Sequence, residues 1–436
     1  MPRRDELLSL SAAEVGRAVG AGELDPAEIV QVSLDAIEEA SGLNIVLTAC
    51  PERALKRARR KLAGPLAGVP LLVKDLFDTS GVRTTYGSKI YADHVPGRTA
   101  GSVAKLEAAG AVVVGKANLD EFAWGTTSQN PHWGIVRNPT HPGRVAGGSS
   151  GGNGAALAGF LSPLGIGTDT GGSVRIPSAC CGTVGFKPSW GKVPIDGVLP
   201  LAPSFDTVGP MARTVADCAL AYSVLSGEPV PGPRLDGMVV GLLEQGPRAS
   251  PHEPSGSGPE YRDPEIHARA DRLEALGARV VETTLPEPAA EIVPIFVHGA
   301  AVSHQATFPS RRDEYGPACQ LKWEAANKVP SIDVWRAQQA LPAWREQAAS
   351  EPAVDLFLCP TLGCEIPAID VWEPDVRIQM TAYTRCFNFL GWPALAVAGF
   401  QIAGCDDRAV LAAGLAWEEA YGPTVPAPPA AERASS

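Results

Sequence analysis

The spacing of apolar positions predicts two amphipathic helices at the start of the chain, over Ser9 to Ala21 and Pro26 to Ala40. Ser11 followed by Glu14 has the form of a capping box. Asp25-Pro26 offers an N-cap with proline at the first helical position. From Leu66 onward, short apolar runs alternate with longer periodic ones. Val69 to Val73 reads as a buried strand, Ala100 to Ala109 as a helix ended by Gly110, and Ala111 to Val114 as a strand. Asn153 to Phe160 is small and apolar enough for a helix, and Leu164-Gly-Ile-Gly reads as a short buried strand. Thr214 to Leu225 and Asp263 to Leu276 are expected as helices, Gly237 to Leu243 and Arg279 to Thr283 as strands. Pro286 to Ser350 reads as helical, Val354 to Thr361 as a strand returning to the sheet, and Thr381 to Phe389 as a helix facing it. Such alternation predicts an α/β fold, with a mixed, largely parallel central sheet covered by helices on both faces.

Composition narrows this picture. At 436 residues, with 45% hydrophobic and 19% charged positions, the chain has ample material for a globular core. A net charge of −11 argues against non-specific binding to nucleic acid or an anionic membrane, both of which select basic surfaces. No run approaches the roughly 20 apolar residues of a spanning helix, and no apolar signal core follows Met1-Pro-Arg-Arg, so a cytoplasmic location is expected. Nine cysteines without regular spacing predict buried free thiols rather than a disulfide framework. Cys359 and Cys364 lack a histidine partner at metal spacing, so no metal is expected. His132 and His141 lie isolated in loops, where solvation is the default. Residues Gln245 to Tyr261 are rich in Pro, Gly and Ser and are expected to form a mobile surface loop; the last dozen residues are expected to fray.

Candidate chemistry gathers in Gly147-Gly-Ser-Ser-Gly-Gly152 and Thr168-Asp-Thr-Gly-Gly-Ser173. Glycines ahead of Ser173 leave backbone N–H groups free to converge on one spot, as an oxyanion hole requires. A serine hydroxyl needs a base, and no histidine lies in this stretch. Lys74, closing the apolar run Val69 to Val73, is the alternative, because burial favours the neutral amine. Other readings of these residues fail on context. A Gly/Ser linker would not be followed by helix, strand and a second glycine turn. A phosphate loop needs Gly-Lys-Ser/Thr. The G-x-S-x-G elbow would make Ser149 the nucleophile, with His298 or His304 as base, but a loop rather than a strand precedes it. An aspartic-protease pair at Asp169 needs a second copy, and there is none.

Lys74, the Gly-Gly-Ser-Ser-Gly-Gly run, and Asp169-Thr-Gly-Gly-Ser-Val-Arg-Ile-Pro resemble the amidase signature family of serine hydrolases. The separation of 24 residues between Ser149 and Ser173 is that of the family's bridging serine and nucleophile. The resemblance continues through Asn118 to Gly125, Cys181 to Ser189 and Ser204 to Arg213. It implies a single domain over 1–436, with N-terminal helices in 1–62, the signature core in 63–230, and a variable, pocket-shaping part in 231–436 that completes the sheet. It implies Ser173 as nucleophile and Ser149, after a cis Gly148–Ser149 peptide, as proton bridge to Lys74. The backbone of Thr170, Gly171, Gly172 and Ser173 would form the oxyanion hole. Asp169 is expected to order the loop by accepting backbone hydrogen bonds, and Arg175 to bond loop carbonyls or a carboxylate, with Ser150 and Gly148 supporting the site. The implied activity is cofactor-free hydrolysis of a small-molecule amide, ester or carbamate by a monomer or homodimer. Three alternatives stay open: the glutaminase component of a tRNA-dependent amidotransferase, an esterase using Ser149, and a non-catalytic binding protein. Trp323, Trp335 and Trp344 in the variable part, with Phe296, Phe308 and Tyr315, suggest an apolar or aryl substrate group.

Overall fold

A computed structural model describes residues 2–244, 263–351 and 353–425. The loop expected at 245–261 and the tail expected to fray beyond Val425 lie outside the described residues. The capping box forms as the sequence predicts: Ser11 Oγ accepts from the Glu14 N–H at 3.2 Å, and the Glu14 carboxylate accepts from the Ser11 N–H at 2.8 Å. It opens the helix Ala12–Ala21. Asp25 caps Pro26–Glu39 through the Ala27 N–H.

Eleven strands form one sheet. Across it run Val46–Ala49, Val112–Ala117, Pro70–Lys74, Leu164–Asp169, Thr207–Ala212, Val184–Lys187, Ala394–Val397, Phe400–Gly404, Leu356–Pro360, Val239–Leu242 and Arg279–Glu282. The sheet is mixed, as expected, but it is not largely parallel. Six of its ten pairings are antiparallel, including every pairing from Leu164–Asp169 through to Leu356–Pro360. The four parallel pairings lie in two groups, one toward each edge. The difference has a local cause. Ala394–Val397 and Phe400–Gly404 are joined by only Ala398-Gly399, and so short a connection can join only antiparallel neighbours. Thr207–Ala212 escapes a reading of the sequence because it contains Gly209 and Pro210, which ordinarily argue against an interior strand.

Both faces of the sheet are buried. Along Pro70–Lys74, Leu71 and Val73 share one core with Val103, Leu106 and Val215, while Leu72 shares another with Val30, Ala54 and Ala155. The helices Gly101–Ala108 and Val215–Ser226 therefore cover one face, and Pro26–Glu39, Pro51–Ala58 and Gly151–Ala158 the other. Coverage on both sides is why Val69 to Val73 reads as a continuous apolar run rather than an alternating one. No helix among the described residues is long and apolar enough to cross a membrane.

Two further expectations change. The helix expected over Thr381 to Phe389 is broken into Glu373–Thr381 and Arg385–Leu390. At the break, Thr384 Oγ1 donates to the Gly171 carbonyl at 2.7 Å, a side-chain bond that competes with helix continuation. The cysteines are free, yet Cys405 is exposed and Cys50 and Cys364 only partly buried.

Asp217 shows how the N-terminal helices attach. Its buried carboxylate accepts from the N–H groups of Ala12 and Ala13, both at 2.9 Å, and so caps a helix far away in sequence. Asp217→Ala leaves both donors without their acceptor. We expect a loss of about 2 kcal/mol in urea unfolding.

Candidate active site

Lys74 ends the strand Pro70–Lys74, and its side chain is fully buried. Its Nζ lies 2.7 Å from Ser149 Oγ and 2.8 Å from Thr168 Oγ1. Burial lowers the Lys74 pKa to about 7, although Asp120, Asp169 and Asp206 pull in the opposite direction. The amine is thus poised between its charged and neutral forms near neutral pH.

Ser149 is buried and follows a cis peptide from Gly148. Position 148 must be glycine: a Cβ there would press on the Asp120 carboxylate and come within 2.8 Å of the backbone of Thr126 and Thr127. The next residue, Ser150, joins the two serine-bearing turns. Its N–H donates to the Ser173 carbonyl at 3.1 Å, and its Oγ donates to the Thr168 carbonyl at 3.4 Å. Ser173 Oγ makes no hydrogen bond among the described residues. Unlike Ser149, Ser173 lines a cavity of about 270 Å³.

The turn carrying Ser173 is organised by Asp169, at the end of Leu164–Asp169. Its carboxylate accepts from the N–H groups of Gly172 (2.8 Å), Val174 (3.2 Å) and Arg175 (3.4 Å). Arg175 donates to it through Nε at 3.0 Å and Nη2 at 2.9 Å, and Asn388 Nδ2 donates at 2.8 Å. Burial alone would raise the Asp169 pKa, but the Arg175 charge and these donors hold it well below the usual carboxylate range. Arg175 is itself fully buried and also donates to Gln401 and Asn388, at 2.8 and 2.7 Å.

This network corrects one expectation. The Gly172 N–H is committed to Asp169, so of the four amides expected to face an oxyanion, those of Thr170, Gly171 and Ser173 remain. Thr170 is anchored on its other side, where its Oγ1 donates to Asp206 at 2.7 Å. Gly172 has φ +129°, and a Cβ there would collide with Ile176 and Thr384.

The cavity wall differs from the expected tryptophan-rich lining. Of the six aromatic residues singled out between Pro286 and Ser350, only Phe296 lines it. Trp323 is buried behind Trp124, with ring centroids 4.0 Å apart. Trp344 donates to the Pro286 carbonyl, and Trp335 is 56% exposed. The tryptophan that does reach the cavity, Trp124, belongs to the Asn118 to Gly125 run. His132, expected to be solvated, instead sits 2.7 Å from Glu121 Oε1. A group of three or more His, Cys, Asp or Glu able to hold a metal does not occur among the described residues.

The Amidase family model matches residues 28–415. The chain belongs to this family. It is 42% identical over 308 residues to the glutaminase-type component, of the A type, of glutamyl-tRNA(Gln) amidotransferase from Thermobifida fusca, covering 64% of this chain. The chain spans about 60% of the length of that curated relative. Among solved structures, 6-aminohexanoate cyclic dimer hydrolase in complex with substrate superposes with a TM-score of 0.85 at 25% identity, covering 97% of this chain and 99% of that one. The corresponding glutamyl-tRNA(Gln) amidotransferase component of Thermotoga maritima gives 0.72 at 26% identity, over 95% and 94%.

Sequence reasoning misses Thr168, Asp206, Asp120 and Asn388 as members of the site. Asp120 and Asp206 lie inside runs that carry the family resemblance. Thr168 could be found from strand register, because it stands two positions beyond Ile166, which pairs with Val73 beside Lys74. Asn388 carries no local signal.

Removing the Arg175 guanidinium strands a buried carboxylate that loses its main compensating charge. Arg175→Met is expected to cost about 3–5 kcal/mol in chemical denaturation, far more than an exposed arginine would.

Proposed function

We propose that this amidase-family chain acts as a standalone amidase on a small-molecule amide, with Ser173 as nucleophile, Ser149 as proton bridge and Lys74 as base. The observation that carries this reading is the contact of a buried amine, its pKa lowered to about 7, with Ser149 Oγ at 2.7 Å, beside a second serine open to a cavity. Neutral Lys74 takes the Ser149 proton as Ser149 takes that of Ser173. The freed Ser173 Oγ bonds to the amide carbon. For this the Ser173 hydroxyl turns toward Ser149, a bond that tightens with substrate in place. The carbonyl oxygen gathers charge facing the amides of Thr170, Gly171 and Ser173, each donor worth about 3 kcal/mol. Collapse breaks the C–N bond, and the proton on Lys74 returns through Ser149 to the departing amine. Water then releases the acid from Ser173 by the same route. An aryl ester or carbamate could enter this sequence at the same carbon.

A second reading, the glutaminase component of an amidotransferase, is favoured by the 42% identity to the Thermobifida fusca protein. Two observations weigh against it. The superposition is closer on the cyclic dimer hydrolase than on the Thermotoga protein. The cavity beside Ser173 has no Asp or Glu among its described lining residues to meet a glutamine α-ammonium. The esterase reading is disfavoured because Ser149 is buried away from the cavity while Ser173 lines it. Size-exclusion of the purified protein together with a glutaminase assay separates an amidotransferase component from a standalone enzyme.

Two outcomes test the mechanism. A fluorophosphonate probe should label Ser173, and Ser173→Ala and Lys74→Ala should each lower kcat at least a thousandfold with an unchanged unfolding midpoint; full activity in Ser173→Ala would end the assignment. In the pH profile of kcat/KM, activity is absent while Lys74 is protonated and rises as pH passes through about 7. A rising limb centred near 10 would mean that burial does not tune the amine.

A further inference from the structure

The cavity that holds Ser173 is apolar over most of its wall, through Trp124, Leu201, Phe296 and Phe389. Against this wall stand two guanidinium groups, Arg377 and Arg385, and no acidic residue among the described lining. Arg385 has a partner of its own, which leaves Arg377. Arg377 lies on the helix Glu373–Thr381, half-buried, and its side chain makes no hydrogen bond, ion pair or ring contact among the described residues. Its neighbour one turn earlier, Glu373, is not available to it: that carboxylate accepts from Lys322 at 3.0 Å and from Thr126 at 3.2 Å.

A half-buried guanidinium without a counter-charge, beside low-dielectric aromatic walls, acts on anions more strongly than an arginine in open solvent. Its planar fork matches a carboxylate in two parallel hydrogen bonds. We propose that Arg377 is a specificity residue that binds a carboxylate on the substrate, so that the preferred amides carry an apolar spacer ending in an acidic group with no ammonium beside it. The same lining that would welcome the carboxylate leaves an α-ammonium without a partner, which separates these amides from glutamine. This inference rests on the amidase reading of Ser173 and names its substrate class.

Three anilides of similar size test it: N-phenylglutaramate, with the carboxylate on the acyl side; 4-(pentanoylamino)benzoate, with it on the amine side; and neutral pentananilide. At least one acidic anilide should exceed the neutral one in kcat/KM by about tenfold or more. Arg377→Gln should bring that ratio to within about twofold, and Arg377→Lys should restore part of it. Equal rates for all three in the unaltered protein, or a ratio unchanged in Arg377→Gln, would overturn the proposal. Calorimetric titration of the Ser173→Ala protein with the same compounds separates anion binding from catalysis. Tight binding of an acidic anilide that is lost in Ser173→Ala/Arg377→Gln, without turnover by the unaltered protein, would keep the anion site and sink the amidase reading. Turnover without any acidic preference would do the reverse.

Discussion

An amine sealed inside a sheet is the constraint on which the site depends. Lys74 stands at the end of an interior strand covered by helices on both faces, so water cannot solvate its charge. Asp120, Asp169 and Asp206 all favour the ammonium, yet burial outweighs them and leaves the group near pH 7. The difference from an ordinary lysine corresponds to roughly 5 kcal/mol between the two protonation states. The layered fold is therefore itself the electrostatic device: the same lysine on an edge strand would be wet and charged.

Asp169 shows burial with the opposite result. It is as thoroughly enclosed as Lys74, but its two oxygens accept six hydrogen bonds, three of them from Arg175. A fully satisfied ion stays charged where a poorly satisfied one gives up its charge. The paired carboxylate works as a scaffold, pinning the turn after Leu164–Asp169. Thr170 is tied to Asp206 on one flank of that turn, and Gly171 to Thr384 on the other. Every amide that could face a developing oxyanion is thereby given a direction before any substrate arrives.

How much is legible in the sequence varies with how local the signal is. The capping box at Ser11, the strand before Lys74 and the glycine turn before Ser173 are written in consecutive residues, and all appear in the structure. The interior strand Thr207–Ala212 is hidden by Pro210, whose missing N–H is tolerable only because of the neighbours it meets. A largely parallel sheet extrapolates from the first half of the chain, where crossovers dominate. The tryptophans of the variable segment look like pocket lining from composition, but packing sends Trp323 behind Trp124 and Trp335 to the surface.

What the chain's order of residues determined alone was the inventory: an apolar run closed by lysine, two glycine-bracketed serines 24 positions apart, and the family to which they point. Those features rest on local sterics and on spacing, which a linear string records in full. Tertiary structure alone decided which serine faces the cavity, which amide Asp169 takes for itself, and that Arg377 is left without a counter-charge. Each of these depends on distances between groups far apart in sequence, and on how completely water is excluded from them. Neither quantity exists until the sheet has closed.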